Sequence, residues 1–104
     1  MSKEQWFTPV LLKKEMSKKY PFILQFSDSE ISMFTKVINC VVADAGLETG
    51  VDILSHAFED VDLENLQVWL KTVSDGLSAP GAVENDVIPN AIGFLFSQKK
   101  KYQQ

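Results

Sequence analysis

Apolar residues recur along this chain at intervals of three and four, the spacing that gathers them on one face of a helix. The first stripe is Pro9, Leu12, Met16 and Tyr20, with Lys13, Lys14 and Lys18 turned away. Thr8 stands before it as an N-cap. Pro9 takes the first helical position, where a missing N–H costs nothing. Pro21 ends the segment, because the residue before a proline is pushed out of the α region.

Phe22 to Phe26 (residues 22–26) is the one stretch with strand character, short, aromatic and partly β-branched. It reads as a short extended segment, either a strand or a connector whose aromatics plug the core. No second strand is evident to pair with it.

Ser27 and Glu30 form a capping box, and Ile31, Phe34, Ile38, Val41 and Ala45 follow at helical spacing. Met33, Val37, Cys40 and Val42 widen this apolar face, so the segment predicts the central, most buried helix, closed by Gly46. A short helix is predicted over Val51 to Val61. Asp62 caps the next, whose stripe is Leu63, Leu66, Trp69, Leu70, Val73 and Leu77, with Gly76 as its stop. Residues 77–86 then form the longest loop. The last helix is predicted to start near Pro89 and to turn Ile88, Ala91, Ile92, Leu95 and Phe96 inward. Gly93 within it suggests close packing against a neighbour. The pattern predicts an all-α, compact bundle of about five helices in a single domain over residues 1–104, with short basic ends at 1–7 and 99–104. Trp6 and Phe7 precede the first capped helix and Phe94 lies off the last stripe. These aromatics either fold back over the core or stand out as interface anchors.

Charge changes this picture more by its distribution than by its sum of −4. Residues 21–98 hold two lysines against twelve acids, a net −10, while the first twenty residues and the last six each carry +3. All ten cations are Lys. Arg is the side chain that grips phosphates and guanine edges with a planar fork. Its absence, with an acidic body, argues against sequence-specific nucleic-acid recognition, although a lysine-favouring codon usage accounts for it equally well. No apolar run approaches the ~20 residues of a membrane span, and Met1 to Trp6 lacks the apolar core of a secretory signal. One cysteine allows no internal disulfide. A cytoplasmic location is expected.

The candidate chemistry is sparse. Asp60, Asp62 and Glu64 fill the first three ligand positions of a calcium loop, but Asn65 stands where its glycine belongs and Lys71 where its bidentate Glu belongs. Acids gathered at a helix start explain the run better. His56 has Asp52 and Asp60 four residues to either side; it reads as an ordinary solvated histidine, with a pH-sensitive surface as the alternative, and the spacing lacks the convergence of a metal site. Cys40 reads as a buried structural cysteine, since a nucleophilic thiol needs a base and access. No glycine-rich phosphate loop and no nucleophile elbow occur. No catalytic residue, cofactor or metal is expected.

The expected function is therefore a small acidic, non-enzymatic binding, adaptor or inhibitor protein acting on a protein partner with a basic surface. The expected contact residues are Asp44, Glu48, Asp52, Glu59, Asp60, Asp62 and Glu64, a stretch with no lysine. The alternative is a self-associating structural or assembly subunit, a homo-oligomer in which basic ends meet acidic bodies. The lysines of the first helix read as a solvated face that also attracts the acidic body, with a weak anionic-surface or acidic-partner binder as the alternative. In size, acidity and helical pattern alone the chain is similar to nuclease immunity proteins, phage tail-assembly chaperones, phage-encoded inhibitors and head–tail connector proteins. No motif of theirs maps onto it residue by residue.

Overall fold

Three side-chain caps set where helices begin. The Thr8 side chain accepts from Leu11 N–H at 3.2 Å, Ser27 and Glu30 exchange both bonds of a capping box, and Asp62 accepts from Asn65 N–H at 2.9 Å. A computed structural model describes residues 7–102, with side chains placed through Gln98. Trp6, most of the basic N-terminal end and the side chains of Lys99, Lys100 and Lys101 lie outside the described residues. What is described is all-α: α1 (Pro9–Met16), α2 (Asp28–Ala45), α3 (Leu47–Phe58), α4 (Leu63–Leu77) and α5 (Glu84–Tyr102).

The expected extended segment at 22–26 is not extended. Pro21–Gln25 forms a 3₁₀ helix. With no neighbouring strand among the described residues to accept them, its N–H groups bond backward: Ile23 to the Tyr20 carbonyl at 3.0 Å and Phe26 to the Ile23 carbonyl at 3.1 Å. The tight turn drives Ile23 into the core and leaves Leu24 62% exposed.

Helix α2 is the central helix that its wide apolar face predicts, and it packs against the other four. Phe34 lies at its heart. Around that ring stand Tyr20, Phe22, Phe26 and Phe58, with centroids 5.5 to 6.0 Å away, mostly edge-on as aromatic quadrupoles prefer. Trp69 continues the cluster against Phe58 and donates its indole N–H to the Ala91 carbonyl at 3.0 Å, tying α4 to α5. Phe7 folds back and is buried.

The corner between α2 and α3 is a single residue. Gly46 has φ +94°, a conformation closed to ordinary side chains, and lets the chain reverse at once, so α3 starts at Leu47, ahead of the expected Val51. The two helices then approach closely at Gly50, where an added Cβ would lie 3.1 Å from the Val42 Cα. Helix α3 ends at Phe58, short of Val61: Glu59 leaves the helical region with ψ 131°, and Asp60 follows at positive φ.

Three further expectations change. Gly76 does not end α4 but lies inside it, facing Val87. Helix α5 begins at Glu84, which shortens the expected 77–86 loop to residues 78–83 and leaves Pro89 inside a helix. Gly93 does not pack against a neighbour: nothing lies within 4 Å of where its Cβ would be. Phe94 is 55% exposed, as its position off the stripe implies.

Candidate protein-binding surface

Helix α3 buries Val51, Leu54, Ala57 and Phe58 against the core, which leaves Glu48 and Asp52 on its outer face. Asp44 precedes them near the end of α2. Glu59, Asp60 and Asp62 occupy the turn after α3, and Glu64 sits in the first turn of α4. All seven side chains are exposed. Local chemistry places several of them. Asp62 is an N-cap, Asp60 holds φ +66° where Asp is among the few tolerated residues, and Glu64 favours the positive end of the α4 dipole. These roles, with residues 63–71 helical, leave no calcium loop. Among the described residues no three side chains of His, Cys, Asp or Glu converge as a metal site.

His56 is exposed, and its Nδ1 donates to the Asp52 backbone carbonyl at 2.9 Å, which places a proton on that nitrogen. Asp60 lies beyond the end of α3, so the helical spacing that linked it to His56 is broken.

At the Asp44 end the surface opens into a groove of about 500 Å³. Helix α2 contributes Cys40, Val41, Ala43 and Asp44 to it, and α3 contributes Ile53. The far wall is one face of α5, formed by Asn85, Pro89, Ile92, Gly93 and Phe96. Cys40 is therefore not fully buried as expected but half-buried in the groove wall, where its thiol donates to Asn85 Oδ1 at 3.6 Å. Burial pushes its pKa up, and the charges of Glu84 and Asp44 add to that. Such a thiol is mostly protonated at neutral pH and a poor nucleophile.

A second, shallower groove lies between α1 and the start of α2. Pro9, Val10, Lys13 and Lys14 line one side and Asp28, Ile31 and Ser32 the other. Val10 is 79% exposed, beside the two lysines.

Sequence reasoning found the acidic run but not the groove beside it. The signal was present: Pro89 and Gly93 are four residues apart, hence on one helical face, and both leave little side chain there. No protein-family model, curated protein or solved structure matches the chain.

Proposed function

We propose that this chain is a non-enzymatic protein-binding domain that receives a partner with a basic surface on its acidic side. The observation that carries this reading is the run from Asp44 to Glu64, in which seven exposed carboxylates follow the end of α2, the outer face of α3 and the start of α4 with no lysine among them. Such a single-sign field speeds encounter with a cationic partner and rejects acidic ones. Affinity capture from the native host, followed by mass spectrometry, tests it. The expected result is a partner with a basic face, released as salt rises through the range where the Debye length falls below ~8 Å. A partner that is acidic, or one whose capture is indifferent to salt, contradicts it.

One observation favours a second reading, self-association as an assembly subunit. Val10 and Leu11 stand exposed beside Lys13 and Lys14 on α1, an amphipathic and basic surface complementary to the acidic side of another copy. Light scattering over a concentration series separates the two: a monomer supports the first reading and a closed oligomer the second.

A further inference from the structure

We propose that the groove between α2, α3 and α5 is the anchor site for the apolar face of a basic amphipathic helix carried by the partner. This inference rests on the acidic-side reading above and adds to it the place and shape of the contact.

Gly93 is the first argument. A glycine inside a helix is unfavourable relative to alanine. Gly50 gives a packing return for that cost, since α3 could not otherwise approach Val42. Gly93 gives none, because open space stands where its Cβ would be. Four residues earlier on the same face, Pro89 lacks the N–H that would bond the Asn85 carbonyl, a second departure from helix preference at the same wall. Between Ile92 and Phe96 the α5 wall is thus bare backbone at Gly93, which permits the close approach of another helix there.

The lining supplies the second argument. Val41, Ile53, Ile92 and Phe96 make the groove apolar, and Asp44 sets a negative charge on its rim. Glu84 is exposed in the first turn of α5, near enough for its charge to act on Cys40. Glu48 and Asp52 of α3, the helix that adds Ile53 to the groove, are exposed as well. The complement of an apolar trough with an acidic rim is an apolar stripe flanked by Lys or Arg. Helical walls offer no strand edge to extend, so the fitting geometry is a helix in a groove, anchored by side chains at i, i+3, i+4 and i+7.

Cys40, the only cysteine, gives a native reporter in the groove wall. The probes are two synthetic peptides of about five helical turns with the same leucine stripe, one bearing lysines on its other face and one glutamates. Binding is followed by fluorescence anisotropy and groove occupancy by the rate of Cys40 alkylation with iodoacetamide. At about ten times its dissociation constant the lysine peptide is expected to slow alkylation about tenfold, and the glutamate peptide not at all. Gly93→Leu, which fills the trough, should abolish the protection, and Asp44→Lys, at an exposed position, should weaken it. If the lysine peptide binds but leaves Cys40 alkylation unchanged, the groove assignment is overturned while the acidic-side reading stands. If the two peptides bind alike, or neither binds, both fall. Protection that grows with protein concentration in the absence of peptide assigns the groove to a second copy and also overturns the proposal.

Discussion

Asn39 holds Phe7 by both ends of its amide. The Phe7 N–H donates to Asn39 Oδ1 and Asn39 Nδ2 donates to the Phe7 carbonyl, each at 2.9 Å. The pairing imitates one rung of a strand ladder and pins the segment before α1 to the central helix. Asn39→Leu keeps the bulk and loses both bonds. It is expected to cost about 1–3 kcal/mol, because each half-buried backbone group loses its partner. Urea denaturation checks this, and an unchanged midpoint would mean that the segment is held by Phe7 packing alone.

The core hierarchy makes its own prediction. Phe34 is fully buried among four rings, so Phe34→Ala should destabilise by about 3–5 kcal/mol. That is comparable to the whole stability of many small domains. Phe94→Ala removes a ring that already stands in solvent and should stay within about 0.5 kcal/mol of the parent. Equal losses for the two would show that α5 is rotated from the orientation described.

Two glycines should answer alanine with opposite signs. Gly93→Ala gains helix propensity in open space and should stabilise by roughly 1 kcal/mol. Gly50→Ala forces a methyl group against the Val42 backbone and should destabilise by about 1 kcal/mol or more despite the same propensity gain. Thermal melts of both variants suffice, and a rise for Gly50→Ala would contradict the tight α2–α3 corner.

Tyr20 predicts an alkaline limb. Its hydroxyl donates to the Val51 carbonyl at 2.8 Å. Burial pushes its pKa above the ordinary 10.0. The charge of Asp52 adds to this, and Ser55 opposes it. The folded state therefore holds the proton more tightly than the unfolded state. The corresponding stability is fully present below pH 10.0 and is lost as pH rises through the higher folded value. Tyr20→Phe removes the proton and should flatten this decline, while costing about 1 kcal/mol at neutral pH through the lost hydrogen bond. The same alkaline slope in parent and variant would assign it to other groups.

Much of the fold was legible because its signals are local. Thr8, Ser27 with Glu30, and Asp62 announce helix starts through bonds made within three residues, and the α2 stripe declares its burial by its width. What was not legible depends on partners distant in sequence or absent. The 22–26 segment has strand-forming residues, but no strand lies beside it among the described residues, and its N–H groups turn back on the chain. Pro89 reads as a helix start, yet α5 begins five residues earlier and tolerates the lost bond. Asn39 looks like a polar interruption of an apolar run until Phe7, thirty-two residues away, is seen against it. The acidic run was legible as charge. The groove beside it was not, because its walls come from three helices that only the fold brings together.

The central claim is that the acidic side receives a basic partner, and its most direct test is the association rate when charge alone is removed. Asp60→Asn and Asp62→Asn suit this purpose. Asn tolerates positive φ at the first position and serves as an equally good N-cap at the second, so both local structures survive. Stopped-flow association with the lysine-bearing amphipathic peptide should slow several-fold in the double variant, with dissociation little changed, and the difference should shrink as salt rises. Neutralising Lys13 and Lys14 to Gln should leave association unchanged or faster. If the lysine variant instead loses association while Asp60→Asn with Asp62→Asn keeps it, the basic face of α1 is the interface and the account is inverted.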